Sequence, residues 1–409
     1  MAYDDEAAPE TSVGFSGVHG SSRRASSGRT VTRSSPAERT SGERSAVGAA
    51  NGHVLTRPRP EAAAVSAQVA KAALGGLTAP RKTLPPSLFY DEEGCRLFYE
   101  ITKLPEYYLT RSEFRLLERT APEVTALLPT GATLVEYGAS DETKAEMLLR
   151  QTSPAGQPDG ESVFRCYIPI DVAAPALRAM RDRLADRRPG LTVLPVTADF
   201  MRPIVLPERR SESALMGFFP GSTIGNLEPG SAVAFLRRAR LTLHPAGHSA
   251  GWRGSEVEHP VRFLLGFDTC RDPARLVPAY DDSAGVTARF NRNLLVRLNR
   301  EAGGTFDPDD FIHRAVWNEA ESRIEMHLVS RSARTVMLAG QSIDFARGET
   351  IHTENSYKYA PERMRAMVEA AGWSRQRAWT DPDGLFTLWL LAGSRCDPPR
   401  PEFPVGNIK

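Results

Sequence analysis

The residues best suited to chemistry in this chain stand where apolar runs give way to short polar turns. The run ATLVEYG, from Ala132, reads as a buried strand that enters the turn Gly138-Ala139-Ser140-Asp141, where a glycine lets a ligand approach the backbone just before a helix begins. The next run ends Ile170-Asp171, an acid 33 positions after Gly138 and placed to accept hydrogen bonds from a ribose diol. A third ends Ala198-Asp199-Phe200, an acid and a ring suited to holding and covering an adenine. Taken in order, the glycine turn, the ribose acid and the Asp-Phe pair suit S-adenosylmethionine (SAM). Singly, each has a plainer reading: an Asp at a strand end serves equally as a helix N-cap, and the turn lacks the full GxGxxG of a dinucleotide site.

The fourth run ends FPGSTIGNL, residues 219–227, whose small residues leave room for a substrate beside a donor. There the Asn226 amide is free to hold a carboxylate; a tight Gly-Asn turn would explain Gly225-Asn226 but not GSTIGN in full. Further along, Glu354 and Ser356 lie two apart in HTENSYKY, so on a strand both point to one face. A carboxylate and a hydroxyl on one face can hold the two nitrogens of an imidazole. The alternative for Glu354 is an ion pair with Lys358, and for Tyr107 and Tyr108 a place in the apolar core. Tyr280 and Met326 complete this set. No GxSxG elbow, HExxH pair or Walker loop is present, which leaves hydrolase and NTPase readings without support.

Strands alternating with helices must position these turns. Strands are expected at Cys166–Ile170, Thr192–Val196, Ser213–Phe219 and Phe263–Phe267, with helices at Thr143–Leu149, Ala174–Leu184 and Gly230–Leu243, the rhythm of a parallel, doubly wound α/β sheet. A long amphipathic helix is expected from about Ser112, and an Ala-rich helix over Glu61–Leu77 that stops at Gly75-Gly76. WSRQRAWTDPDGLFTLWLLA predicts an antiparallel hairpin around Asp-Pro-Asp-Gly that closes the sheet edge. Residues 268–358 break the rhythm and predict an inserted mixed α/β unit. The resulting map is a disordered Ser/Arg-rich tail (1–69), a segment that joins the inserted unit (70–111), the α/β core (112–267), the insertion (268–358), the end of the core (359–395) and a second tail (396–409). A polar loop at 246–260 is peripheral to the chemistry.

Composition narrows the partners. Of 409 residues, 51 are Lys or Arg against 50 Asp or Glu, so a net charge of +1 gives no electrostatic reason to expect nucleic acid or a membrane surface. Four isolated cysteines signal neither zinc nor a disulfide framework, and with no apolar span or signal segment the expectation is a reduced, cytoplasmic monomer.

At this point the motifs KTLPPSLFYD, ITKLPEYYLTRSE, GSTIGNL, RLVPAYDDSAGVTARFNRN, RIEMHL and TENSYKY, in this order between about Leu74 and Leu391, resemble the histidine-specific, SAM-dependent Nα-methyltransferases of ergothioneine biosynthesis. The resemblance implies a Rossmann-like methyltransferase sheet with an inserted substrate-binding domain, and three methyl transfers to one α-amino group giving trimethylhistidine (hercynine). It further implies that Tyr90, Gly138, Lys144, Asp171, Asp199 and Phe200 contact SAM. Histidine would be held by Tyr107 near the ring, Asn226 and Tyr280 on the carboxylate, Glu354 and Ser356 on the imidazole, and the Gly221 backbone at the amino group, with Phe98, Thr287 and Met326 lining the pocket. One departure is Gly138-Ala139-Ser140-Asp141, where the family commonly has a second glycine; the first glycine and Lys144 keep their register. No metal and no dedicated general base are implied, water taking the proton. Two other readings stay open: methylation of another aromatic amino acid, whose indole or phenol would leave Glu354 poorly paired, and a weakly catalytic sensor of SAM or amino acid.

Overall fold

The computed structural model describes residues 60–152, 162–208, 214–244 and 261–393; the N-terminal tail to residue 59, the polar loop at 246–260 and the tail from 396 lie outside these. All described residues belong to one unit that begins at Pro58. The chain opens with helices α1 (Pro60–Leu77), α2 (Glu92–Ile101) and α3 (Tyr108–Thr125). Then follow β1 (Ala132–Tyr137), α4 (Thr143–Leu149), β2 (Phe164–Asp171), α5 (Ala174–Arg187), β3 (Thr192–Val193), β4 (Val196–Thr197), β5 (Leu215–Phe219), α6 (Pro229–Leu243) and β6 (Arg262–Asp268). The insertion contributes α7 (Pro273–Tyr280), α8 (Val286–Ala302) and β7 (Phe311–Asn318), β8 (Arg323–Ser330), β9 (Arg334–Leu338), β10 (Gln341–Phe345) and β11 (Thr350–Tyr357). The chain closes with α9 (Pro361–Ala370), β12 (Trp373–Thr380) and β13 (Phe386–Gly393).

The main sheet runs β12-β13-β6-β5-β1-β2-β3, with β4 also on β2. β5, β1, β2 and β6 pair in parallel, and every residue of β1 is buried, as a strand covered by helices on both faces must be. Connections leave β1 towards β2 and then return on its other side to β5, so the strand order reverses between β1 and β5. Ligands of such sheets sit outside the strand ends at that reversal, and here the ends carry Gly138 and Gly221. The hairpin β12–β13 adds an antiparallel edge, as its turn residues predict. Its fold is therefore the doubly wound, Rossmann-like sheet expected.

Among the described residues, buried side chains form three clusters. Two are assigned to the main sheet with its helices; the third draws Val69 to Leu109 together with residues of α7, α8 and β7–β11, so the N-terminal helices complete the core of the inserted unit. That unit has a three-stranded sheet, β11-β8-β7, and a separate β9–β10 ribbon.

Several boundaries differ from expectation for physical reasons. Residues 60–69, placed in the tail, are helical, and α1 runs through Gly75-Gly76 to Leu77, where a side chain at Gly76 would strike the backbone of Thr83, whose N–H bonds the Gly76 carbonyl. α3 starts at Tyr108 rather than Ser112, so the two tyrosines are part of its first turn and cap. The strand expected over Thr192–Val196 is two short pieces, since Pro195 has no N–H for the ladder.

Candidate active site

On the β1 side, Gly138 adopts φ +75°, and the Phe200 ring lies 3.6 Å from where a Cβ would project. Asp171 spends one oxygen on the Ala173 N–H (2.8 Å), and burial pushes its carboxyl up from the usual range. Asp199 likewise accepts the Met201 N–H at 2.8 Å and is half-exposed. Each acid closes a short turn rather than capping a helix: the N-cap of α5 is Ala173, no helix follows Asp199 among the described residues before β5, and the second Asp199 oxygen lies 3.8 Å from Arg202 Nε. Asp141, the acid in the altered turn, accepts the Thr143 N–H at 2.8 Å and so caps the start of α4.

Lys144 does not stand alone. Its Nζ is 2.6 Å from Glu113 of α3, a fully buried carboxylate that also accepts the Gly221 N–H at 2.8 and 3.0 Å. Glu113 therefore ties three elements together: α3, α4 and the loop after β5. Gly266 leaves it room, because a Cβ there would lie 2.6 Å from Glu113 Oε1. Sequence reading missed Glu113, although its place among Leu109, Leu116, Leu117 and Thr120 on the buried face of α3 signals an acid held inside.

The other side is built by the insertion and the loop after β5. A short 3-10 helix, Thr223–Asn226, follows Ser222, itself in the left-handed region at φ +57°. Asn226 Nδ2 donates to Glu354 Oε1 at 3.0 Å, and Met326 stands opposite Glu354 across the β8–β11 ladder. The amide expected to be free is thus partly committed, because the fold brings the two residues together from 128 positions apart. The Tyr280 and Ser356 hydroxyls are 2.8 Å apart. Lys358 does not pair with Glu354: its Nζ lies 2.7 Å from Asp268. The expected division, Asn226 with Tyr280 and Glu354 with Ser356, is crossed by these bonds, and all four residues form one constellation.

Aromatic rings line the same space. Tyr107 meets Tyr280 edge-on at 6.2 Å and Phe98 at 6.4 Å, and Phe98 meets Tyr90 at 6.1 Å. Burial raises the Tyr90 phenol well above its ordinary value, and the carboxylates of both Glu354 and Asp171 add to this, so Tyr90 lies in the field of one acid from each side. Thr287 is buried on α8. Of the residues expected at the site, Asn226, Glu354 and Met326, then Tyr280 and Ser356, and the rings of Tyr90, Phe98 and Tyr107 meet one another in this way, and Gly138 lies beside Phe200.

Burial pushes the Glu354 carboxyl from 4.5 up to about 8, with Lys358 opposing the rise, and does the same to Glu136 of β1, with the Tyr167 hydroxyl opposing. Carboxyls that hold their proton more tightly when folded stabilise most below pH 4.5, and that stability is lost as pH rises towards 8. Buried His313 and His327, held below their ordinary value, act in the opposite sense. Thermal unfolding of the ligand-free protein should accordingly become less pH-dependent between about 4.5 and 8 in Glu354→Gln than in the parent. An identical slope in the two proteins would remove Glu354 as the source.

Among the described residues, one group could hold a metal ion, Glu325, His327 and His352. It lies on the alternate face of β8 from Met326, and its carboxylate is already engaged by Arg323 at 2.7 Å and Asn318 at 2.9 Å.

Residues 69–393 match the family model described as histidine-specific methyltransferase, SAM-dependent. The chain belongs to this family. As a histidine-specific methyltransferase family member it is an SAM-dependent enzyme, and its relatives agree. It is 42% identical over 318 residues to the histidine N-alpha-methyltransferase of Mycolicibacterium smegmatis, covering 77% of this chain and 92% of that protein. The histidine N-alpha-methyltransferase of Mycobacterium tuberculosis is 40% identical over 319 residues, covering 78% and 92%. Ergothioneine biosynthesis protein 1 of Neurospora crassa is 30% identical over 321 residues, covering 77% of this chain but 34% of that longer protein.

Proposed function

We propose that this chain transfers three methyl groups in succession from SAM to the α-amino nitrogen of L-histidine, giving trimethylhistidine (hercynine). The observation that carries the substrate assignment is the buried Glu354 carboxyl, bonded to Asn226 and sharing a strand face with Ser356. An imidazole, with a nitrogen at each end of its ring, pairs with both groups, whereas an indole or phenol would leave one buried polar group unmatched. The names of the relatives point the same way.

SAM supplies an electrophilic methyl group, and the cradle fits it. Gly138 leaves its turn open under Phe200, Asp171 keeps an oxygen for ligand hydroxyls, half-exposed Asp199 holds only a long 3.8 Å ion pair with Arg202 on its second oxygen, and Lys144 holds the adjoining wall through Glu113. What remains for the protein is alignment. Gly221, fixed by Glu113, presents its backbone between the two sides, so that a bound amino group would stand near the donor, and catalysis is mainly positioning. The ammonium loses a proton to water before each transfer. Tyr107, edge-on to Tyr280, offers a ring face to the cationic product.

Mass spectrometry of the purified protein incubated with SAM and each of the twenty amino acids tests this. Three methyl groups on histidine and none on the other amino acids is the expected result. Methylation of a different amino acid instead would overturn the substrate assignment, and donor binding with no methylated product would favour a sensor.

A further inference from the structure

Lys358 and Asp268 are both fully buried, yet neither belongs to the set expected to touch substrate or donor. The lysine's Nζ lies 2.7 Å from Asp268 Oδ2, 2.9 Å from the Tyr280 hydroxyl and 3.0 Å from the Ser356 hydroxyl. An ammonium has three hydrogens and no lone pair, so all three are committed. Asp268 is in turn held from behind: Tyr108 donates to the same oxygen at 2.7 Å, the Cys270 N–H to the other at 2.9 Å, and the Asp268 N–H donates to Ser222 Oγ at 3.0 Å. The ammonium is thereby fixed by α3, by the end of β6 and by the GSTIGN loop together.

This arrangement sets the polarity of the two hydroxyls in front of it. Each oxygen accepts from Lys358, and the pair shares one hydrogen across its 2.8 Å contact, which leaves one hydrogen for a ligand. A substrate carboxylate can only accept. If Tyr280 faces it, the free hydrogen is Tyr280's, the Ser356 hydrogen goes to Tyr280, and Ser356 keeps one lone pair towards the ring. Resting on the functional reading above, we propose that Lys358 is a positioning residue for the amino-acid substrate: by donating to both hydroxyl oxygens it leaves the Tyr280 hydrogen for the α-carboxylate. The structure thus gives the lysine two residues beyond Ser356 a part in specificity that it plays without touching substrate.

The test is calorimetric binding of L-histidine and of L-histidinol, which has CH2OH in place of the carboxylate, with S-adenosylhomocysteine present. Lys358→Met alone would strand the Asp268 charge, so the double variant Asp268→Asn/Lys358→Met removes both members of the buried pair. A second variant, Lys358→Arg, keeps the charge, but its planar fork cannot serve three converging acceptors. Each variant is expected to weaken histidine binding at least tenfold and histidinol binding less than threefold, with S-adenosylhomocysteine binding unchanged. Adding Tyr280→Phe to either should then cost histidine little more. Equal weakening of histidine and histidinol, the signature of a merely structural role, overturns the inference. An unaltered protein that binds no histidine overturns the functional reading and this inference with it, whereas normal histidine binding with an unchanged ratio in the variants overturns the inference alone.

Discussion

Glu354→Ala is expected to raise the KM for histidine by about 10- to 100-fold, the cost of losing a hydrogen bond to a buried charged or polar partner, while SAM affinity stays within about twofold. Two features of the structure make the effect this large and this selective. The carboxyl is buried in the middle of β11, out of easy reach of water, and among the described residues its hydrogen-bond partner is Asn226, whose Nδ2 would also lose its acceptor. None of the donor-side groups, Gly138, Asp171 or Phe200, bonds to Glu354. Steady-state kinetics with each substrate varied in turn separate the two constants; an unchanged histidine KM would take Glu354 out of the ring site. Glu354→Gln is the informative companion, because an amide keeps the volume and an acceptor oxygen but loses the titrating group.

Gly225→Ala is the second substitution with a large expected effect. A Cβ at Gly225 would lie 2.7 Å from the Tyr357 carbonyl oxygen, backbone against side chain with nothing flexible to yield. Relief requires the 3-10 helix and β11 to separate, and overpacking of this kind costs about 1–3 kcal/mol. The same separation stretches the Asn226–Glu354 bond, which joins the same two elements. A lowered unfolding temperature, together with a fall of more than tenfold in kcat/KM for histidine, is the expected outcome. Parent-level turnover in Gly225→Ala would show that the close approach does not govern the site.

Most of the fold was legible because its signals are local. Strands and helices of the main sheet alternate with clear apolar runs, and α4 and α6 lie within one residue of their predicted limits. The misread boundaries turn on single residues, as at Gly76, which packs against Thr83 seven positions on, and at Pro195, which has no N–H for the ladder. Candidate residues at strand ends could be picked out for a related reason: a parallel sheet delivers its strand termini to one edge, so Gly138, Asp171, Asp199, Phe200 and Gly221 could be read in order. The same rule applied to β6 would have drawn attention to Asp268, the acid at its end, which went unread.

The sequence by itself determined the family, the doubly wound sheet and the residue types that could meet SAM and an imidazole, since all of these rest on periodicity or on contiguous motifs such as GSTIGNL and TENSYKY. Only the tertiary structure decided which polar groups pair inside. It gave Lys358 to Asp268 rather than to Glu354, Asn226 to Glu354, and Glu113 to both Lys144 and the Gly221 N–H. The physical reason is that a buried charge must find a partner wherever the fold has one. Within β11 the choice of partner is set by elements that approach from 76 to 128 residues away, a separation no local pattern records.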